Sequence, residues 1–239
     1  MERKIILKTV FIFAVALGLF LTGVTSVLAV QGATDYTLGA TSRANFDDSS
    51  TVAVDAMAGN VTQLDLSGDT ITTHWAGFYG NISGNVTLQD SSNNVFYDWT
   101  GVGVPAGEIF ASSINNVAWA GISCANSTLI AAIDTSLGIA AADADGVFET
   151  FAGNIHPGFQ VGGVSLSGCN STNAYSDTGR VASLYYQILL VDTNGVAVYT
   201  TLINDSATSF TGTSYDFELL VGESDAVGST SMYFYIELD

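Results

Sequence analysis

The chain has 239 residues, 23 of them acidic and five basic, for a formal charge of −18. So negative a surface repels phosphate backbones and anionic lipid, which excludes nucleic-acid binding. With 48% hydrophobic residues the chain is not a disordered acidic tail, and its length suits one domain of generous size.

The predicted elements begin with an export signal over residues 1–29. Arg3, Lys4 and Lys8 make a positive start, and an apolar run follows from Val10 to Leu21. Val27-Leu28-Ala29 puts small residues where a signal peptidase reads, so cleavage is expected after Ala29. Left uncleaved, residues 10–30 are long enough to anchor the chain in a bilayer, its one link to a membrane. Either way the positive flank stays inside and the remainder goes outside. Only Glu2 of the acidic residues precedes residue 30, so the exported part sets 22 carboxylates against Arg43 and Arg180 and has no lysine, a formal charge of −20. Without lysine, Schiff-base chemistry is excluded there.

Residues 30–48 read as an N-terminal arm with Tyr36, Leu38 and Phe46 as apolar anchors. Residues 49–239 read as one mainly-β, β-sandwich-like domain with one or two short helices. Val61 to Leu66 alternates, and Ser67-Gly68-Asp69 marks a turn. Ile71–Tyr79 predicts a strand. Asn81–Asp90, the Ser91–Asn94 turn and Val95–Trp99 predict a hairpin with Val95, Tyr97 and Trp99 on one face. Ser127–Leu137 predicts a helix, with Leu129, Ile130, Ile133 and Leu137 at helical spacing, Asn126 or Ser127 as cap and Gly138 as stop. A short helical turn is expected at Val147–Phe151. Ser183–Val191 and Val196–Ile203 flank Asp192-Thr-Asn-Gly195, a second hairpin. Both hairpins run from an aspartate through an Asn-bearing turn to a tyrosine strand. Phe217–Val221 and Met232–Leu238 complete the β pattern.

Two cysteines in an exported chain, Cys124 and Cys169, point to one disulfide. Asn-x-Ser/Thr glycosylation signals occur at Asn60, Asn81, Asn85, Asn126, Asn170 and Asn204.

Two stretches of the chain carry a family likeness. His74-Trp-Ala-Gly-Phe-Tyr-Gly-Asn-Ile-Ser-Gly84 leads into Val86-Thr-Leu-Gln-Asp90 and Tyr97-Asp-Trp99. Tyr215-Asp-Phe-Glu-Leu-Leu-Val221 and Tyr233-Phe-Tyr-Ile-Glu-Leu238 close the chain. These resemble uncharacterised archaeal secreted and cell-surface proteins with a Trp…Gly-Asn-Val-Ser-Gly hairpin and a Tyr-Phe-Tyr-Val-Glu-Leu terminus. A broader analogy links them to β-sandwich subunits of archaeal surface filaments. The resemblance implies a cell-surface location with N-glycans and brings no catalytic residues.

No catalytic set stands out. His74 and His156 are the only histidines, and Gly163-Val-Ser-Leu-Ser-Gly168 has the wrong spacing for a nucleophile elbow. Asp177-Thr-Gly179 matches half an aspartic-protease pair and reads better as a turn. Asp143-Ala-Asp-Gly146 with Glu149 resembles the opening of a calcium loop, making Asp143, Asp145 and Glu149 the candidate metal ligands. An Asp-Gly turn capping the following helix is the competing reading. Trp75, Trp99 and Trp119 form a sugar-stacking platform or serve as core and hairpin residues. The expected function is therefore a structural extracellular protein, not an enzyme. It would be a filament, sheath or surface-layer subunit that binds copies of itself by strand addition and needs no cofactor, calcium being the one candidate. The alternatives are a carbohydrate- or calcium-binding adhesin and a secreted hydrolase working through carboxylates.

Overall fold

The computed structural model describes residues 30–44, 53–67, 70–99, 106–140, 143–176, 182–224 and 229–238. The predicted leader, Phe46, the Ser67-Gly68-Asp69 turn beyond Ser67 and Asp177-Thr-Gly179 lie outside them.

The first eight strands are β1 (Gln31–Gly32), β2 (Trp75–Gly80), β3 (Thr87–Gln89), β4 (Val95–Asp98), β5 (Gly107–Ser112), β6 (Ser123–Cys124), β7 (Phe159–Val161) and β8 (Val164–Leu166). They are followed by β9 (Ser171–Tyr175), β10 (Ala182–Val191), β11 (Ala197–Leu202), β12 (Ala207–Thr208), β13 (Ser214–Tyr215), β14 (Phe217–Gly222) and β15 (Tyr233–Leu238). Helix α1 spans Ser127–Leu137 and α2 Val147–Thr150. The fold is mainly strands with few helices, as expected. Among the described residues the strands form one seven-stranded antiparallel sheet, ordered β1-β15-β5-β11-β10-β6 with β9 also on β10, and four two-stranded sheets.

The large sheet is covered on both faces. Along β10, Leu189 and Val191 face one cluster with Ile109, Ala111, Tyr199, Leu219 and Val221. Ile188 and Leu190 face another with Phe110, Val198, Phe159, Val161 and Tyr235. Period-two alternation thus sends successive apolar residues into different cores, so β10 reads as a continuous apolar run. Each fully buried leucine or isoleucine stabilises by about 1.5–3 kcal/mol. The β2–β14 pair, α1 and α2 cover the first face; the β7–β8 hairpin and Trp119 cover the second.

Helix α1 forms where the spacing predicts. The Asn126 carboxamide oxygen accepts from Leu129 N–H at 3.0 Å. Ile130 and Ile133 enter the core, and Gly138, at φ +78°, closes the helix in the left-handed conformation. Such a cap is worth about 1 kcal/mol.

Three expectations change. Val61–Leu66 forms no strand and stays exposed, and among the described residues no element covers its apolar positions. β5 carries no sequence signal, yet it is buried at every residue between β15 and β11. With both faces covered it shows no alternation. Its first residue must be glycine: Gly107 has φ +146°, and a Cβ there would lie 2.0 Å from the Glu237 carbonyl oxygen. Finally, the Asn194-Gly195 turn bends through Gly195 alone in the left-handed region, rather than through both residues.

Candidate assembly edge

One margin of the large sheet is formed by β15. Its inner side pairs with β5 over all six residues, Tyr233↔Ser112 to Leu238↔Gly107. Phe234 and Ile236 pack into the first core, with Phe234 edge-on to Phe78 at 4.9 Å, and Tyr235 packs into the second beside Trp119. The outer side meets β1 at two positions, Gln31↔Ile236 and Gly32↔Tyr235. Ala33 N–H adds a bond to Phe234 O at 3.1 Å. The predicted arm is therefore docked at its root. From Gln31 to Arg43 and on to residue 44 every residue is exposed, with Tyr36 77% and Leu38 82% exposed.

Close to this margin, Glu108 and Glu237 stand opposite each other on β5 and β15, both nearly fully buried. The Glu237 carboxylate accepts the Gly162 N–H at 2.9 and 3.0 Å, tying β15 to the β7–β8 turn. Neither glutamate lines the cavity of about 300 Å³ bounded by Ile133, Leu137, Ala197, Tyr199, Glu223 and Met232.

The opposite margin is closed. β6 and β9 both pair with β10, and Cys124 on β6 is disulfide-bonded to Cys169, with Cα atoms 4.9 Å apart. Gly153 and Ser171 exchange backbone bonds of 3.0 and 2.8 Å outside β9. The expected disulfide is present.

The β3–β4 hairpin forms as predicted, shortened to Thr87–Gln89 and Val95–Asp98, and lies away from both cores. Phe96 is 83% exposed, and Tyr97 stacks edge-on with Trp99 at 5.0 Å with both rings exposed. The three tryptophans make no common platform. Trp75 packs on Phe151 and Tyr199 in the first core, Trp119 on Phe110 and Tyr235 in the second. Only Trp99 is offered to solvent.

Asp143 to Gly146 form a turn leading into α2, but no side chain of that turn caps the helix. Asp143 accepts Ala140 N–H at 2.9 Å. Asp145 accepts from the Thr72 hydroxyl, lies 3.2 Å from His74 Nδ1, and gives its backbone oxygen to Trp75 Nε1. The Thr72 bond, with help from His74, lowers the Asp145 pKa against the opposing effect of burial. The helix cap comes from Asp134, whose carboxylate accepts Val147 N–H at 2.6 Å and Phe148 N–H at 3.3 Å. Its position thirteen residues upstream hides this contact from sequence reading. Among the described residues, no three His, Cys, Asp or Glu side chains gather as a metal ion requires.

His156 accepts Cys169 N–H on Nε2 at 2.8 Å, and its Nδ1 lies 2.8 Å from Pro157 O, so the neutral ring carries its proton on Nδ1. It props the disulfide. Of the six glycosylation signals, Asn60, Asn81, Asn85 and Asn126 are exposed. Asn204 is half-buried, and Asn170 donates its side-chain NH2 to Phe151 O at 2.9 Å, which occupies the group a glycan would modify.

A buried polar cluster joins β10 to β14. The Gln187 side chain donates to Glu218 O at 2.7 Å and accepts Leu220 N–H at 2.7 Å. The Tyr185 hydroxyl bonds Ala207 O and Tyr215 O. Burial first, then Glu218 and Asp216, push the Tyr185 pKa up to about 12. Burial also raises Glu218, against the bond from Phe210 N–H.

Among the described residues no helix is long and apolar enough to cross a membrane. Comparison with protein-family models, curated proteins and solved structures finds no match.

Proposed function

We propose that this chain is an exported structural protein of the archaeal cell surface, a filament, sheath or surface-layer subunit whose copies join by strand addition. The carrying observation is the β15 edge: six residues long, met among the described residues by β1 at two, and adjoined by residues 33–44, all exposed. A lightly covered sheet edge accepts a further strand, and main-chain bonds supply the affinity. The disulfide suits an oxidising compartment. In this reading residues 1–29 are removed, the arm 30–48 is the donor, and glycans sit on Asn60, Asn81, Asn85 and Asn126. The subunit is β-sandwich-like, with β2–β14 as the smaller layer. Electron microscopy of the purified exported protein tests it. Ordered polymers are expected, lost when residues 30–48 are deleted; a strictly monomeric product at high concentration, with and without calcium, counts against it.

A second reading has its own support in the exposed Phe96, Tyr97 and Trp99 of the β3–β4 hairpin, which suit sugar stacking in a surface adhesin. Glycan-array binding lost on Trp99→Ala, with an unchanged melting temperature, would favour it.

A further inference from the structure

We propose that β1 is exchanged between copies. Residues 30–33 of one molecule leave their own β15 and occupy the β15 of the next, in the register they hold within one chain, while residues 34–44 become the connector. This deepens the assembly reading above and rests on it.

Four observations carry it. First, β1 is held by two paired residues, both exposed, at the outermost position, and unlike the equally short β6 it carries no disulfide. Such an edge strand opens at little cost. Second, the chain beyond it is built as a connector. Residues 33–44 are exposed throughout and, fully extended, reach roughly 40 Å. A domain of this length has a radius of gyration on the order of 16 Å, so the strand can reach a neighbour's edge. Third, the register that would be exchanged extends past the two paired residues, since Ala33 N–H bonds Phe234 O. Continuing Gln31↔Ile236 and Gly32↔Tyr235 places Val30 beside Glu237 and Ala33 beside Phe234. Val30 already packs against the second core, so the same side chain serves in the exchanged position. Fourth, charge leaves few other means of association. With two arginines and no lysine beyond residue 29, copies of the chain have few cations with which to form salt bridges. A backbone ladder needs no complementary charge.

The donor β1 and the acceptor β15 are different surfaces. Passing the strand head-to-tail is therefore a heterologous contact, and it builds an open chain rather than a closed pair. The disulfide-tied margin at β6 and β9 offers no comparable exchange, because Cys124–Cys169 holds it covalently.

The register supplies the test. Because Ala33 N–H bonds Phe234 O, Gly32 and Tyr235 form the narrow, non-hydrogen-bonded pair, whose Cα spacing of about 4.5 Å admits a disulfide. A Cβ on Gly32 meets nothing within 4 Å. The double variant Gly32→Cys/Tyr235→Cys is exported, assembled, oxidised and run on denaturing gels without reductant. Gln31→Cys/Ile236→Cys is the second pair, should loss of the buried Tyr235 ring impair folding. Exchange predicts a ladder of covalent multimers that collapses on reduction, with 32–235 or 31–236 peptides joining isotopically distinct copies. Polymers that yield only monomer bands with the link inside one chain overturn exchange and leave the assembly reading standing. A dimer band without a ladder overturns the open chain. If the wild-type protein forms no polymer, both fall.

Discussion

At one margin of the large sheet, β6 and β9 flank β10 and are tied by Cys124–Cys169, by the Gly153–Ser171 bridge and by His156 bonded to Cys169 N–H. At the other, β15 is met by two residues of β1 followed by an exposed arm. Both are edges of the same antiparallel sheet, and the backbone groups they present are alike. The difference lies in what closes them: a covalent bond at one end and three backbone contacts at the other. A sheet that protects one edge and leaves the other lightly covered has a direction, which is what an open-ended polymer needs.

The comparison is sharpened most by removing the disulfide. Cys124→Ser/Cys169→Ser should cost about 4 kcal/mol in the chain-entropy model for a separation of 45 residues. Denaturant unfolding of the monomer would show this, while any polymer formed below the midpoint should keep its morphology. Gly107→Ala attacks the loose margin from inside. The new Cβ would push against the Glu237 carbonyl, costing about 1–3 kcal/mol and separating β15 from β5, seen as faster amide exchange in β15. Deleting residues 30–44 should cost the monomer only about 1–2 kcal/mol in lost backbone bonds yet abolish polymers; the reverse outcome would break the contrast between the edges.

Two smaller effects follow titrating groups. Burial opposes the charge of Asp192, but N–H groups of Val196 and Asn194, the Asn194 side chain and Ala118 N–H outweigh it and lower the pKa. Its stabilisation is therefore complete above the unfolded carboxylate pKa of 3.8 and is lost as pH falls through the lower folded value. Asp192→Asn should flatten melting temperature against pH in that acidic range. Glu218 has the opposite sign. Its pKa is raised by burial, so its charge weakens the fold at neutral pH, and relief comes as pH falls through the raised folded value towards 4.5. Glu218→Gln should raise the melting temperature slightly at pH 7 and remove that trend.

Much of the local structure was legible in the sequence. Helix α1, its Asn126 cap and its Gly138 stop are contained within one stretch of chain, so the spacing of Leu129, Ile130, Ile133 and Leu137 suffices. The disulfide followed from cysteine count and the expected export. The candidate assembly edge was legible only in outline: Tyr36 and Leu38 stand out in the arm, but the docking of Gln31–Gly32 on β15 does not. Two residues of no β propensity carry no pattern. The central strand β5 was missed because burial on both faces removes alternation, and Trp75 and Trp119 entered opposite cores that sequence spacing cannot distinguish.

The two hairpins divide these influences cleanly. Asp90 accepts the N–H groups of Ser92 and Asn94 and the Asn94 side chain; Asp192 accepts those of Asn194 and Val196 and the Asn194 side chain. In each turn the third residue on, Asn93 or Gly195, is left-handed. Yet Leu190 and Val191 are buried between two layers, while Val95, Phe96 and Tyr97 face solvent. The sequence by itself determined the turns, because groups within four residues make every bond at Asp90 and all but the Ala118 N–H bond at Asp192. Burial was decided by tertiary structure alone, since it depends on which distant strands pack across a face, and no residue in the hairpin carries that information.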